Sequence, residues 1–315
     1  MLMLVDTLAI SSLYATTKFV TQDIKSNYVV FFYKFTLLIL TLPWILQNGG
    51  IKNIRTPYFK VHLLRGFFSV GGSLCFMYGL QTVNLLDATV LQNIEQIILV
   101  AVGILFFHEK ANKTKGAAII ISLIGVLIII KPEIIFSSNQ NLFQGKVDRG
   151  YIFIFVAAMF WVGNNIVIKK LGKKSTNKAQ LFYLMFFSSL FAFPVAFLKW
   201  QSHSVFGIDF YLPADTISFD GTNIKPSHLK LILLMSLFYL VHSVALFNSL
   251  KFGEFSVVMP FVYFKLIWSG VLGYIIFANM PNVKSIIGYS LVALAGILLM
   301  RKEMRRRKKI VEEAV

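Results

Sequence analysis

The chain is divided into ten apolar blocks, and each is about as long as a helix that crosses a lipid bilayer. Such a helix needs about 20 mostly apolar residues, because it rises about 1.5 Å per residue through a hydrocarbon core about 30 Å thick. The blocks therefore predict an all-α integral membrane protein with ten transmembrane helices, numbered here as spans 1 to 10. They run near residues 2–21, 28–46, 61–83, 86–107, 114–131, 150–168, 179–199, 229–250, 256–277 and 284–300.

Composition and short motifs exclude most other classes of protein. Only 14% of the 315 residues are charged, whereas soluble domains have about a quarter. A single cysteine, Cys75, excludes an internal disulfide, a thiolate metal cluster and a CxxC redox pair. The sequence contains no HExxH, GxSxG or Walker-type motif, and so offers no catalytic constellation. We therefore expect a protein that is not an enzyme and needs no cofactor or metal.

The basic residues indicate how the chain is oriented. Its net charge of +17 would suggest nucleic-acid binding in a soluble protein. In a membrane protein, an excess of Lys and Arg records the cytoplasmic loops instead. Ten spans place both termini on one side, and the basic tail marks that side as cytoplasmic. The expected location is the bacterial inner membrane, with the lipid bilayer as a partner and no nucleic acid.

The two halves of the chain match each other at two offsets, and the longer loop between spans 7 and 8 absorbs the difference. An offset of 151 residues superposes spans 1 and 2 on spans 6 and 7, and places Lys18 on Lys169. Offsets of 170 and 171 superpose spans 4 and 5 on spans 9 and 10. Since five is an odd number, the two copies must insert in opposite orientations. Inverted repeats usually hold their substrate near the bilayer midplane, between the halves. The predicted domains are two inverted five-helix repeats, 1–133 and 150–301, followed by a basic cytoplasmic tail, 302–315.

Several short sequences at the ends of spans carry a family resemblance. Ala88-Thr89-Val90 opens span 4, Glu109 closes it, Gly125 through Lys131-Pro132 closes span 5, and Pro260 lies early in span 9. Together with the five-plus-five arrangement, they resemble the EamA type of the drug/metabolite transporter superfamily over nearly the whole chain. The stretch His62-Leu63-Leu64-Arg65-Gly66, followed by Tyr78-Gly79-Leu80, is similar to S-adenosylmethionine uptake carriers of intracellular bacteria. The chain departs from the family pattern at Gln96, Asn279 and Lys34, where proline, glutamate and arginine are common.

The resemblance implies a secondary active transporter that moves a small polar metabolite by alternating access. The expected solute is S-adenosylmethionine or an amino-acid-like compound, with a proton or an exchanged solute as a possible partner. Export of amines or drugs and nucleotide-sugar exchange are the alternatives within transport. An integral-membrane enzyme or a non-transporting membrane subunit is the alternative outside it. The sequence leaves the oligomeric state unknown.

Two opposite charges mark the candidate substrate site. Glu95 lies near the middle of span 4 and Lys265 near the middle of span 9, and the offset of 170 makes them equivalent. An ionised side chain at the bilayer centre costs about 3 kcal/mol on insertion scales, so each suggests a function. We expect Lys265 to bind a carboxylate of the substrate and Glu95 to bind a cationic centre or to take up a coupling proton. The alternative is an ion pair that holds the two halves together.

Other polar and aromatic residues are expected to line the same cavity. On span 4 they share an arc of the helix with Glu95, and on span 9 they share a face with Lys265. His242 is a candidate proton relay or substrate contact, with helix packing as the alternative. The asparagines of span 6 could line the cavity or join helices. The complete candidate set, besides the two charges, is Gln92, Asn93, Gln96, Trp161, Asn164, Asn165, His242, Tyr263, Trp268 and Ser269.

Four further charged residues within or beside the spans have expected structural roles. Lys34 is near enough to the outer boundary for its ammonium group to reach the interface. Asp6 and Lys18 lie near the ends of span 1 and are expected at the interface. Arg65 is expected to anchor span 3 at the cytoplasmic face. The small residues of span 3, around Gly71, are expected to permit close helix packing.

Overall fold

The computed structural model describes ten spans of helix with gaps between some of them. The described residues are 2–46, 54, 56–106, 113–130, 149–171, 175–205, 208–217, 225–252, 262, 264–278 and 283–312. Three predicted features lie outside the described residues: Tyr263, the side chain of Gln96 and the loop that contains Glu109.

Eleven helices and one two-stranded hairpin occur in these residues. The helices of the first half are α1 (Leu2–Asp23), α2 (Ser26–Leu46), α3 (Phe59–Thr82), α4 (Leu85–Gln92), α5 (Ile94–Phe106) and α6 (Lys113–Ile130). The second half contains α7 (Arg149–Leu171), α8 (Asn177–Phe197), β1 (Leu198–Val205), β2 (Ile208–Ile217), α9 (Pro226–Phe252), α10 (Phe264–Phe277) and α11 (Val283–Glu312).

The helices follow the ten predicted spans, and the all-α membrane fold is confirmed. Helices α4 and α5 together occupy span 4, while every other span contains one helix. By length and composition, five helical stretches could each cross a membrane unaided: 26–45, 59–82, 149–168, 178–197 and 226–245. Shorter apolar helices cover 116–129, 264–277 and 286–298. Large side chains such as Ile120, Ile267 and Ile275 lie exposed on the outer surface, as expected where lipid is the solvent.

Span 4 is broken at Asn93, which the sequence did not predict. The backbone N–H of Asn93 donates to Val90 O at 3.0 Å, and a new helix begins at Ile94. Among the described residues, neither amide atom of the Asn93 side chain has a hydrogen-bond partner. Broken helices are tolerated at membrane depth where they are buried in protein or line a cavity. The break in span 4 is of the first kind, because Asn93 is 1% exposed.

The loop between spans 7 and 8 contains the hairpin. Strands β1 and β2 pair antiparallel from Leu198↔Ile217 to Val205↔Ile208, with an irregularity between Leu198 and Trp200. Span 7 consequently ends at Phe197, two residues before its predicted end. Outside the hairpin, the regular secondary structure of the described residues is helical.

Packing between spans depends on close approach by α3. A Cβ added at Gly66 would lie 2.4 Å from Phe187 Cβ of α8, and one added at Gly79 would lie 2.8 Å from the Gly150 carbonyl of α7. Side chains of ordinary size cannot fit at these contacts, so the expected role of small residues in span 3 is correct. Helix α3 lies along α7 and α8, α1 along α9 and α10, α2 along α8 and α9, α4 along α7 and α10, α5 along α7, and α6 along α11.

Candidate functional site

Glu95 lies just after the break in span 4. It is in the first turn of α5, where unpaired backbone N–H groups favour a negative charge. Its side chain is 7% exposed, and its carboxylate accepts a hydrogen bond from the Asn165 amide of α7. The break and the asparagine together give this buried carboxylate its local stabilisation.

Lys265 lies on the facing helix, in the first turn of α10, and is 5% exposed. Its Nζ donates to Gln92 Oε1 at 3.4 Å. Each of the two charges therefore has a neutral amide as its hydrogen-bond partner rather than the other charge. Glu95 and Lys265 nevertheless interact electrostatically across the space between their helices. The structure thus brings together four predicted site residues: Glu95, Lys265, Gln92 and Asn165.

A row of hydroxyl groups joins spans 1, 4 and 9 beside these charges. Thr89 Oγ1 lies 3.0 Å from Ser269 Oγ, and Ser269 Oγ lies 3.3 Å from Ser11 Oγ. Ser11 also lies 3.1 Å from the Lys265 carbonyl oxygen, to which its hydroxyl can donate. The contact joins Thr89 of span 4 to the predicted site residue Ser269 of span 9.

His242 has a carboxylate partner that the sequence did not indicate. Its Nδ1 lies 2.6 Å from Oδ1 of Asp6 in α1. The expectation that Asp6 lies at the membrane interface was wrong: packing of α1 against α9 leaves it 3% exposed. Asp6 also interacts electrostatically with Lys265. His242 and Asp6 therefore extend the polar region from the central charges along span 8.

Tyr14 is a site residue that sequence reasoning missed. The Tyr14 side chain is buried. Its hydroxyl group interacts with the side chain of Gln92 and, electrostatically, with Glu95. Its ring centre lies 4.5 Å from that of Phe76, which in turn lies 5.1 Å from Trp161. The sequence contains one indication of this role: Tyr14 lies three residues after Ser11, and therefore on the same side of α1.

The remaining candidates are distributed unevenly around the charges. Trp161 packs against the glycine face of α3, since a Cβ at Gly72 would lie 2.7 Å from its Nε1. Besides the atoms of Asn93, Asn164 Oδ1 and Trp268 Nε1 are buried and have no hydrogen-bond partner among the described residues, and His242 Nδ1 and Asp6 Oδ1 have only their mutual contact at 2.6 Å. Unpaired polar atoms are costly when buried, so those near the charges are available to a solute.

Three basic residues lie deeper than expected. Lys34 does not reach the interface: it is 1% exposed and contacts Ser69 of α3. Arg65 is 2% exposed and donates to Gln180 of α8 rather than lying at the cytoplasmic surface. Lys18 is also buried, with its Nζ donating to the Val83 carbonyl. Close packing of α3 against its neighbours explains why the first two are enclosed.

Asp87 joins spans 4, 6 and 10. It is buried in the first turn of α4 and accepts hydrogen bonds from the hydroxyls of Tyr151 and Tyr289, the former at 3.1 Å. Lys18 interacts with it electrostatically. Sequence reasoning passed over Asp87 because it opens a span, where a carboxylate is unremarkable.

Comparisons with known proteins agree with this architecture. The chain is 22% identical over 293 residues to an S-adenosylmethionine uptake transporter of Rickettsia bellii, covering 93% of this chain and 90% of that protein. It is 22% identical over 272 residues to the pseudopaline exporter CntI of Pseudomonas aeruginosa, covering 86% and 85%. It is 22% identical over 301 residues to a riboflavin transporter of Brucella anthropi, covering 94% and 97%.

A solved crystal structure has the same fold. It superposes with a TM-score of 0.57 at 14% sequence identity, covering 96% of this chain and 98% of the other. The sequence profile of the EamA-like transporter family matches residues 1–131 and 148–301. The chain is thus a multi-pass membrane protein that belongs to the EamA-like transporter family.

Proposed function

We propose that this protein is a secondary active transporter that moves a small zwitterionic metabolite, S-adenosylmethionine or an amino-acid-like solute, across the bacterial inner membrane. The observation that carries the proposal is the arrangement of Glu95 and Lys265. Two buried opposite charges face each other from spans 4 and 9, and each is hydrogen-bonded to a neutral amide. Such charges are expensive to bury unless something pairs with them.

A zwitterion would supply the missing partners. Lys265 would hold its carboxylate and Glu95 its cationic centre, with Gln92 and Asn165 positioning the two side chains. Trp268 and Asn164 offer unpaired polar atoms, and Trp161 with Tyr14 offers aromatic surface for a cation. A purely anionic solute would leave Glu95 unpaired, and a neutral solute would leave both charges unpaired.

Alternating access would arise from an inverted duplication, with repeats 1–133 and 150–301. The helix packing supports it, because adding five to each span number reproduces the same set of contacts between the two halves. Spans 1 and 8 pack like spans 6 and 3, spans 1 and 9 like 6 and 4, and spans 2 and 8 like 7 and 3. The pairs 2 with 7, 4 with 9 and 5 with 10 map onto themselves. This is the pattern that a two-fold axis between the halves would produce.

The similar proteins support transport of metabolites but differ in direction. One is named for uptake and another for export. We propose uptake, with both termini in the cytoplasm and with Glu95 or an exchanged solute providing the coupling. Export of an amine-containing compound is the second candidate, and the Pseudomonas aeruginosa relative favours it.

Counterflow into proteoliposomes tests the proposal directly. Vesicles containing purified protein and unlabelled S-adenosylmethionine should accumulate labelled S-adenosylmethionine faster than protein-free vesicles. Unlabelled methionine and S-adenosylhomocysteine serve as competitors. No accumulation of S-adenosylmethionine, and none of a panel of zwitterionic amino acids, by correctly folded protein would overturn the proposed substrate class.

A further inference from the structure

Lys34 is held in an enclosure of neutral groups. Its Nζ donates to Ser69 Oγ at 3.2 Å, and it lies 4.8 Å and 5.1 Å from the ring centres of Tyr33 and Tyr239. The side chain of Lys34 is among the largest that are fully buried. One hydroxyl and two aromatic faces offset only part of the cost of burying an ammonium group. The enclosure therefore lacks a negative partner for this cation.

Arg65 supplies a second cation to the same region. It precedes Ser69 by four residues on α3, so the two side chains lie on one face of that helix. Its Nη1 lies 3.3 Å and 3.4 Å from two oxygens of Gln180, and its buried Nε has no hydrogen-bond partner. Among the residues that the structure describes, neither Lys34 nor Arg65 forms an ion pair with a carboxylate. Two buried cations thus lie beside one face of α3 without a counter-charge among the described residues.

Tyr239 connects this pair to the rest of the molecule. Its ring faces Lys34, and it interacts electrostatically with Arg65. On α9 it is followed three residues later by His242, and the two rings lie 5.6 Å apart. The basic region on spans 2, 3 and 8 therefore adjoins the polar site around Glu95 and Lys265.

We propose that Lys34, Arg65 and Tyr239 form a second subsite, which binds an oxyanion group of a transported solute, either a carboxylate or a phosphate. A planar guanidinium with a free donor, an ammonium and a tyrosine hydroxyl match a group with two or three oxygens. The inference rests on the proposed function, because it places the solute within the carrier. Solutes that bear an acidic group beyond their zwitterionic centre would engage both sites.

Thermal unfolding of the purified protein tests the subsite without requiring transport. The protein would be held in a maltoside detergent, and chloride would be replaced by inorganic phosphate at constant pH and ionic strength. A ligand present at ten times its dissociation constant should raise the unfolding midpoint by about 3 °C. Lys34→Met and Arg65→Gln should abolish the rise, measured against each variant's own midpoint in chloride. Lys18→Met, which alters a buried lysine beside Asp87, is the matched control and should keep it.

Further variants separate this site from its neighbour and from lipid. Lys265→Met should keep the anion-dependent rise, and Lys34→Arg and Tyr239→Phe serve as milder variants if Lys34→Met does not fold. The proposal is wrong if the rise is absent from the wild type, survives both basic-residue variants or disappears in Lys265→Met. It is also wrong if the protein retains phospholipid phosphorus that Lys34→Met and Arg65→Gln both lose, since a headgroup would then be the occupant. Loss of counterflow with an intact rise would reject the proposed transport alone.

Discussion

At the scale of residues, the interior is organised by charges that neutral groups hold in place. Asn165 contacts Glu95, Gln92 contacts Lys265, and Ser69 contacts Lys34. Neutral partners orient a charge without cancelling it, so its field stays available to a solute. This differs from a structural ion pair, where each charge satisfies the other.

Neutralising either central charge should reduce transport much more than stability. In Glu95→Gln and Lys265→Met, a solute group would be buried without its partner, which costs about 2 kcal/mol or more and corresponds to a loss of about 30-fold or more. Initial rates of counterflow measure the effect, and detergent extraction followed by size-exclusion chromatography verifies folding. Normal transport by the double variant would contradict the proposed roles of both residues.

Asp6→Asn should weaken transport by about 10-fold or more, because it removes the carboxylate next to His242 and changes the field at Lys265. Because Asp6 and His242 contact each other, they are expected to act as a unit. His242→Gln should therefore reduce transport by a similar factor, and the double variant should transport little more slowly than either single variant. Counterflow rates of the two single variants and the double variant give this comparison. Additive losses would show that the two side chains act separately.

The sequence was sufficient to identify the central charges but not their partners. Glu95 and Lys265 stand out because ionisable residues are rare within apolar spans. Asn165 and Asp6 contact residues far away in the chain, and these contacts depend on which helices are neighbours. The distance of Lys34 from the end of its own helix predicts that its ammonium group reaches the interface. Residues of α3 and α9 cover it instead, and the sequence does not show that these helices are its neighbours.

At the scale of elements, the apolar pattern predicted span positions well and missed the break in span 4. A run of polar residues from Gln92 to Gln96 reads as one polar helix face, although Asn93 in fact ends one helix before another begins. Periodicity alone cannot separate these cases because the break adds no residues. The consequence is functional, since the start of α5 is what favours a carboxylate at position 95.

Enlarging the contact between α3 and α8 should destabilise the fold. In Gly66→Leu, the new side chain would overlap Phe187, whose Cβ would be 2.4 Å from the added Cβ. Overpacking of this kind costs about 1–3 kcal/mol or more, which corresponds to a fall of several degrees in the unfolding midpoint. Gly116→Leu is a matched control in α6, because a Cβ there would meet nothing within 4 Å. Equal midpoints for the two variants would contradict the packing described for α3.

At the scale of the whole molecule, Asp87 links the first half of the chain to the second. Its carboxylate accepts hydrogen bonds from Tyr151 in α7 and Tyr289 in α11. They fasten the start of span 4 to the starts of spans 6 and 10, and we propose that they close this end of the interior, which faces outward in the proposed orientation. The sequence predicts two halves that face each other. It does not predict which side chains form hydrogen bonds between them, because those contacts depend on how the helices pack.

Asp87→Asn should favour opening towards the outside. A neutral asparagine accepts weaker hydrogen bonds from the two tyrosine hydroxyls than a carboxylate does, and it weakens the electrostatic contact with Lys18. A cysteine placed at Thr89 should therefore react at least about five-fold faster with an impermeant thiol reagent added from outside. Cys75→Ala provides the background. Asp23→Asn, at the end of α1, is the control and should leave the rate unchanged. An unaltered rate in Asp87→Asn would exclude this carboxylate as a closing contact.

Labelling also tests the proposed orientation. With Cys75 replaced by alanine, a cysteine introduced in the tail 302–315 should be protected from impermeant reagent in intact cells, and a cysteine in the hairpin 198–217 should react. The tail follows α11 and carries the basic residues expected in the cytoplasm. The opposite labelling pattern would invert the assigned topology.

The separation of Glu95 and Lys265 onto different helices has a consequence for stereochemistry. Opposite charges fixed at two places give the interior a direction, so a zwitterion can lie along it in one sense only. A side contact with the aromatic groups around Tyr14 and Trp161 adds a third point of reference. A compound with one stereocentre can match three such points in one hand, while its mirror image matches two. The carrier would therefore discriminate between enantiomers.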